Sequence, residues 1–270
     1  MNFDIVIDSD ENIVDMKTGL ETMQGASEIV RLITETVLTN KVPERKSHKS
    51  SVRTNLKKSF KGSYGHTFSL DIYDSVLKNN FAKIGEQTLM EVISYLLSES
   101  LYQASNNLSL NAQNVINDLN DNYEVLLGKL RQTPLKSIHE SPIKLNKNVK
   151  LRYRKNDNDQ TIIVQLDRLT AKALDTKTDN TKYSIMACIT RFNIHTGNGR
   201  LLVNGEEETV PFSISIPYRN VKLDTKKKFS RNLDENNGIN DNTLRTYINM
   251  SVKRINSYGG QVVKYVIIGI

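Results

Sequence analysis

Residues 188–216 read CITRFNIHTGNGRLLVNGEEETVPFSISI, in which apolar and polar residues alternate on both sides of a glycine-containing bend. Alternation with a period of two is typical of β-strands. The pair Asn198-Gly199 is a hairpin signal, because a tight turn requires the left-handed backbone that these residue types adopt readily. The stretch therefore predicts antiparallel strands, with the glycines forming the bend between the first two.

The strands of this stretch belong to a longer series of strand patterns. The series is VKLRYRK, QTIIVQL, KYSIMACITRFNI, GRLLVNG, ETVPFSISI and QVVKYVIIGI. A helix is predicted over residues 242–255, because an Asn/Asp pair that could cap it precedes Leu244. Short strands at this spacing favour a small β-barrel-like or bent antiparallel sheet. Residues 141–270 are thus predicted to form a β-rich module with one helix.

The N-terminal part of the chain contains both strand-like and helix-like repeats of apolar residues. In FDIVIDS, the residues Phe3, Ile5 and Ile7 share one face of a strand, and residues 20–38 repeat apolar side chains at helical spacing. Two more strands, SSVRTNLKKS and HTFSLDIYDSV, are joined across FKGSYG. This order predicts a β-α-β-β unit.

Residues 76–132 are predicted to be helical. Two broad apolar stripes, over residues 77–101 and 115–130, are separated by the turn-forming segment SNNLSLNAQN. They predict an antiparallel helical hairpin, and TPLKSIHESPIKLNKN after it predicts a linker. The predicted fold class is therefore α+β, with residues 1–140 as an α+β module and residues 141–270 as the β-rich module.

The net charge of +7 is concentrated in three basic segments. They are KVPERKSHKSSVRTNLKKSFK (41–61), KLNKNVKLRYRK (144–155) and KLDTKKKFSR (222–231). Basic clusters on an otherwise balanced chain favour an anionic partner such as nucleic acid. The alternative is that they are solvated surface loops.

Two strands interleave cations with aromatic residues. Arg152 and Arg154 alternate with Tyr153, while Arg191 precedes Phe192 and Arg200 returns across the bend. Small barrels bind single strands by stacking bases on aromatic side chains while cations follow the phosphates. The aromatic residues could instead face the core. The candidate binding residues are Arg191, Arg200, Arg152, Arg154, Lys150, Tyr153, Arg45, Lys46, Lys49, Arg53, Lys57, Lys58 and Lys61.

Catalytic motifs are sparse. The four histidines do not form a metal-binding pattern, and Cys188 lies in an apolar strand that favours an inert thiol. Neither a nucleophile elbow nor a phosphate loop occurs in the sequence. Asp8 and Asp10 follow a strand and could hold magnesium in a nuclease, although an acidic loop tip is the alternative. We predict no catalytic residue, no metal and no cofactor.

The start of the sequence, MNFDIVIDSDENIVD, is acidic and unlike a signal peptide, and the sequence contains no membrane-length apolar run. A cytoplasmic protein is the expectation. The leading functional hypothesis is a non-catalytic component that binds nucleic acid or another anionic ligand. The alternative is a self-assembling scaffold or adaptor that docks a partner effector enzyme through the helical hairpin and edge strands.

Two stretches, GLETMQGASEIVRLITETVLTNKVPERKSHKSSVRTNLKKSFKGSYGHTFSLDI and ITRFNIHTGNGRLLVNGEEETVPFSI, carry a family resemblance over about half of the chain. They resemble a two-module domain of uncharacterised bacterial proteins, with a basic segment followed by a Gly-Ser hairpin. Here Gly62-Ser63 lacks the preceding prolines of that family. The resemblance implies a component of prokaryotic genomic islands, including antiviral defence, and implies no reaction and no site residues.

Overall fold

Helices and strands both contribute large parts of the fold, and the predicted α+β class is confirmed. The structure, a computed structural model, describes residues 1–9, 13–44, 50–60 and 63–270. The chain divides into two units, Met1–Leu174 and Asp175–Ile270. Within the described residues, no helix has the length and apolar character that a membrane crossing needs.

The N-terminal unit contains a five-stranded antiparallel sheet in the order β2-β3-β1-β4-β5. Its strands are β1 (Asn2–Ile7), β2 (Val52–Phe60), β3 (Tyr64–Ile72), β4 (Val149–Arg154) and β5 (Gln160–Leu166). The predicted β-α-β-β order is present at its start. With β4 on the other side of β1, the connectivity extends to the β-α-β-β-α-β order of ferredoxin-like folds, and β5 is added at the edge.

Eight helices of this unit connect or follow the strands within the described residues. They are α1 (Met16–Thr39), α2 (Ser75–Ile84), α3 (Glu86–Ser100), α4 (Leu110–Asp118), α5 (Asn122–Gln132), α6 (Pro134–Ile138), α7 (Glu140–Leu145) and α8 (Arg168–Leu174). The long helix α1 begins where the Asp15 side chain accepts a hydrogen bond from the Thr18 N–H, at 2.9 Å. It ends at Asn40, which adopts a left-handed conformation.

Each predicted helix of the hairpin is broken into two. Gly85 has a positive φ of 81° and separates α2 from α3, while Asn120 has a φ of 45° between α4 and α5. The two apolar stripes nevertheless lie in the core, where Leu89, Ile93 and Leu126 are fully buried. The breaks redirect the helices without exposing the residues that the stripes predicted to be inward.

The boundary between the units differs from the predicted position at residues 140/141. Strand β4 pairs with the central strand β1, with Phe3 opposite Tyr153, so it completes the N-terminal sheet. The segment predicted as a linker forms α6 and α7, and Leu135 and Ile138 are fully buried. The prediction that β4 and β5 belong to the C-terminal module was wrong. The alternation of apolar residues predicts a strand but does not show which other strand it pairs with.

The C-terminal unit is a closed barrel in the order β10-β8-β7-β6-β9. Its elements are β6 (Thr176–Phe192), β7 (Gly199–Val203), β8 (Thr209–Ile214), α9 (Leu223–Glu235), β9 (Ile248–Ser257) and β10 (Val262–Gly269). The first strand pairs with both β7 and β9, and the third and fifth strands pair in parallel. With a helix between the third and fourth strands, this is the connectivity of the five-stranded Greek-key barrels called OB-folds.

The helix of the barrel lies elsewhere than predicted. Asp241 does cap a turn, because its side chain accepts from the Thr243 N–H at 2.8 Å, but this turn is a single 3-10 turn, Asn242–Leu244. Residues predicted as the rest of that helix form β9, where Met250 and Val252 alternate inward into the core. The helix is instead α9, which begins in the third basic segment and extends to Glu235.

Helix α9 is fixed to the barrel by an aromatic cluster and a buried amide. The Phe229 ring stacks on those of Phe192 and Phe212, with ring centroids 5.2 and 5.8 Å apart. The Asn232 Oδ1 accepts a hydrogen bond from the Ile189 N–H, and its Nδ2 donates to the Thr246 carbonyl, both at 2.8 Å. These contacts join the helix to β6 and to the chain entering β9.

Replacing Asn232 with Ala is expected to lower the free energy of unfolding of the C-terminal unit by about 2 kcal/mol, because the buried Ile189 N–H loses its acceptor. Chemical denaturation followed by circular dichroism measures the change. Asn237→Ala, an exposed asparagine just past the end of α9, is the matched control and should leave the transition in place. Equal stabilities of the two variants would contradict this role for Asn232.

Candidate nucleic-acid interface

The cations of β4 surround one buried carboxylate. Asp4 is fully buried on β1, and both of its oxygens accept from Arg154, whose Nε and Nη2 each lie 2.7 Å away. The Nη2 of Arg152 donates to Asp4 at 3.1 Å, and the Thr67 hydroxyl donates at 2.9 Å. The adjacent Asp4 carboxylate is the main reason that the pKa of Arg154 is raised.

Phe60 and Asp157 complete this cluster. The Phe60 ring lies against both guanidinium groups, with ring-centroid distances of 5.6 Å to Arg152 and 5.2 Å to Arg154. Asp157 accepts from Arg154 as well. The two arginines, predicted to bind a polyanion, are therefore engaged in stabilising the sheet.

The other two candidates on β4 are also part of the N-terminal unit. Tyr153 is buried in the core beside Phe3, and its hydroxyl donates to Glu86. Burial and the Glu86 contact raise the pKa of Tyr153 to about 12. The ammonium group of Lys150 pairs with Asp8 at 3.0 Å. The expectation that this strand supplies charge to the same module as the β6–β7 hairpin is wrong.

The first basic segment is only partly described. Arg53 donates to the Ser50 carbonyl and lies over the Tyr73 ring at 4.9 Å, while Lys58 pairs with the exposed Asp157 at 3.2 Å. Lys57 is exposed on β2. Arg45, Lys46, Lys49 and Lys61 lie outside the described residues.

Arg191 and Arg200 lie opposite each other at the end of the β6–β7 ladder. A register shift follows Ile189, which faces the barrel core, and Arg191 is half-buried beyond it. Arg200 is held across β8, since its Nε donates to the Thr209 hydroxyl at 2.9 Å and its Nη2 to the Thr209 carbonyl at 2.6 Å. The strands thus place both residues at the ends of the connecting loop, while the hydrogen bonds to Thr209 direct the Arg200 guanidinium along β8 away from this loop.

The connection is a structured loop of residues 193–198 rather than the tight Asn-Gly turn that the sequence predicts. The Asn193 N–H donates to the Asn198 carbonyl at 2.8 Å, and the Gly197 N–H donates to the Asn193 carbonyl at 2.9 Å. Gly197 carries the positive φ, at 73°, whereas Gly199 allows the close approach of the Arg191 carbonyl. A β-carbon at Gly199 would lie 2.0 Å from that oxygen.

More cations adjoin this loop through Tyr218. A β-carbon at Gly197 would lie 2.5 Å from the Tyr218 ring, so the loop and the ring are in contact. The Lys226 ammonium group, on the first turns of α9, lies 4.4 Å from the centroid of the same ring. Arg219 and Lys222, both exposed, are neighbours of Tyr218 in the chain. We call Arg191, Arg200, Arg219, Lys222 and Lys226 the basic end of the barrel.

Charge is segregated along the β7–β8 hairpin. The loop between these strands contains the exposed Glu206, Glu207 and Glu208, and it lies at the opposite end of β7 from the loop of residues 193–198. Arg191 is therefore separated from this acidic loop by the length of a strand, whereas the guanidinium group of Arg200 reaches Thr209, which directly follows Glu208. Such separation strengthens the positive potential at the basic end.

Sequence reasoning identified Arg191 and Arg200 but omitted Arg219, Lys222 and Lys226 from the candidate residues. The segment 222–231 was recognised as basic, yet only Phe229 and Leu233 mark an inward face on α9. Two apolar residues four positions apart are a weak helical signal. The neighbouring aromatic residue Tyr218, together with the basic run after it, was the available clue.

Two of the residues considered for catalysis, Cys188 and Asp8, are buried or paired. Cys188 is buried, and this burial raises the pKa of its thiol, which disfavours the reactive thiolate. Asp8 pairs with Lys150, while Asp10 lies outside the described residues. Among the residues that the structure describes, no group of three or more His, Cys, Asp or Glu side chains is placed to hold a metal ion.

Comparisons of the chain with protein-family models, with curated proteins and with solved structures find no match. The resemblance to a bacterial two-module domain stays a prediction from sequence.

Proposed function

We propose that the chain is a non-catalytic nucleic-acid-binding component whose C-terminal barrel holds the phosphates at its basic end. The observation that carries the proposal is the placement of Arg191 and Arg200 at the two ends of one loop of a Greek-key barrel, with Lys226 against the Tyr218 ring that this loop contacts. The exposed Arg219 and Lys222 are near Tyr218 in the chain. Barrels of this connectivity bind oligonucleotides with the second and third strands and with the loop that follows the first strand. Here that loop is residues 193–198.

Charge supports the same function. The C-terminal unit has 14 Lys and Arg against nine Asp and Glu, and three of the nine acids lie in the loop opposite the basic end. Lysine and arginine near phosphates release counterions from a nucleic acid, which gives affinity without sequence preference. The proposed setting, a prokaryotic antiviral defence system, is supported by the sequence resemblance alone.

The double variant Arg191→Ala, Arg200→Ala is expected to bind a labelled oligonucleotide more weakly, because two phosphate contacts are lost. A log–log plot of affinity against salt should flatten by roughly one to two units, since each phosphate neutralised on a single strand contributes about 0.7. Fluorescence anisotropy across a salt titration measures both quantities.

A second variant separates binding from stability. Arg200 donates two hydrogen bonds to Thr209, so its loss costs about 1 kcal/mol of stability, whereas Arg219 and Lys222 are exposed. Arg219→Ala, Lys222→Ala should therefore reduce affinity without changing the unfolding transition. The matched control is Lys177→Ala, Lys182→Ala, two exposed cations on the first half of β6.

Two outcomes would contradict the proposal. If both basic-end variants bind as the wild type does, the hairpin is only structural, and the first basic segment becomes the next candidate. If the wild-type protein binds neither single-stranded nor double-stranded nucleic acid at low salt, the scaffold alternative is favoured. Light scattering on the purified protein then tests self-assembly directly.

A further inference from the structure

The loop of residues 193–198 presents two unusual side chains at the basic end. Ile194 is 61% exposed, and His195 beside it is exposed as well. A single exposed apolar residue is ordinary on a protein surface. What distinguishes Ile194 is its position at the tip of a loop whose two ends carry Arg191 and Arg200.

The loop is rigid where it meets the barrel. The Asn193 Oδ1 accepts from the N–H groups of His195 and Thr196, at 2.8 and 3.1 Å. Thr196 and Asn198 are buried, and Gly197 packs against the Tyr218 ring. This framework holds the loop tip outward, so a ligand that contacts Ile194 and His195 does not have to order them first.

We infer that Ile194 and His195 form a contact surface for an unpaired base, and that the site therefore takes single-stranded rather than double-stranded nucleic acid. This inference rests on the proposed function. The flanking cations hold phosphates, while the apolar side chain and the imidazole ring cover the face of a base. In a duplex, each base face is already stacked on its neighbours and the phosphates lie outside, so the loop tip meets no base face.

Cations alone would not discriminate in this way. A site made only of lysine and arginine binds any polyanion according to its charge density, and duplexes carry more charge per unit length than single strands. Contact with base faces instead favours single strands over duplexes, because stacking contributes to binding only when the base is unpaired. The identity of the loop-tip residues thus changes the expected class of ligand.

Three labelled probes of equal length test the inference with the full chain. They are a single strand of about 12 nucleotides, which is within the range of site sizes of such barrels, the corresponding abasic strand, and the duplex. The wild type should bind the intact strand most tightly. Ile194→Ala, His195→Ala should weaken binding of the intact strand by about 5- to 30-fold and leave binding of the abasic strand unchanged.

Control variants distinguish failure of the loop-tip inference from failure of the proposed function. Leu244→Ala removes an apolar side chain that is 71% exposed elsewhere on the same unit, and it should bind all three probes as the wild type does. Equal wild-type affinities for the intact strand, abasic strand and duplex would overturn the inference. Unchanged binding of the intact strand by the loop-tip variant would also overturn it, while the loss caused by Arg219→Ala, Lys222→Ala would keep the proposed function in place. Unchanged binding by both basic-end variants would contradict the proposed function itself.

Discussion

Ile93→Asp is expected to lower the free energy of unfolding of the N-terminal unit by about 4 kcal/mol or more, enough to unfold many domains of this size. Ile93 lies on α3 and is fully buried among the helices and the sheet. An aspartate there would place a charge inside an apolar core cluster, and the space left by the isoleucine adds to the cost.

Thermal unfolding followed by circular dichroism measures this effect. Val125→Asp is the matched control, because Val125 lies on α5 in the same helical region but is 56% exposed. It should change the transition little. A wild-type melting temperature for Ile93→Asp would show that the apolar face is accessible to solvent, which would favour the alternative of a partner-docking groove.

Asp4→Ala is expected to destabilise the same unit by about 3–5 kcal/mol, because it removes the only carboxylate that contacts both Arg152 and Arg154 among the described residues. The side chain of Arg154 is only 10% exposed, so water cannot easily replace the lost partner. Denaturation with urea measures the loss. Nucleic-acid binding should persist under conditions where the variant remains folded.

Asp157→Ala gives the contrast. Asp157 also contacts Arg154, at 2.9 Å, but its side chain is 76% exposed, and the expected change is below about 1 kcal/mol. A triple variant, Asp4→Leu, Arg152→Met, Arg154→Met, should recover part of the stability lost in Asp4→Ala, because it leaves no uncompensated charge. Equal stability of Asp4→Ala and the wild type would show that the cluster is not required for folding.

The spacing of apolar residues predicted the positions of helices and strands wherever one face of the element is buried. Helix α1 and most strands lie close to their predicted positions for that reason. The fold class followed from these patterns. The boundary between the units did not, because the pattern of β4 shows that it has a buried face but not that its partner is β1 at the start of the chain.

Residues 242–255 show how a correct local signal can lead to a wrong element. Asp241 caps a turn as expected, but β9 follows because Ile248, Met250 and Val252 alternate and the barrel requires a strand between β6 and β10. Conversely, α9 buries few apolar residues, so its helical period is faint. Contacts with distant parts of the chain therefore determined both elements: strand pairing for β9 and packing on the barrel for α9.

The candidate site was predicted only in part for a related reason. The period of β4 correctly separates Tyr153 from its neighbouring arginines, but it cannot reveal that Asp4 lies between those arginines in the folded unit. The predicted hairpin likewise places Arg191 close to Arg200, because the two residues lie on either side of its bend. It does not join them to Lys226, whose place near the loop depends on the packing of Tyr218 against Gly197.

The parallel pairing of β8 with β10 has a consequence for how the protein is synthesised. Phe212 pairs with Tyr265 across α9 and β9, so the barrel cannot close until its final strand has been translated and released. The β6–β7–β8 meander can form earlier because its contacts are local, whereas the closing contacts are separated widely in sequence and form slowly. On the ribosome, β8 and β9 therefore each lack one neighbour until β10 emerges, and the nascent chain carries open edges that the finished barrel does not.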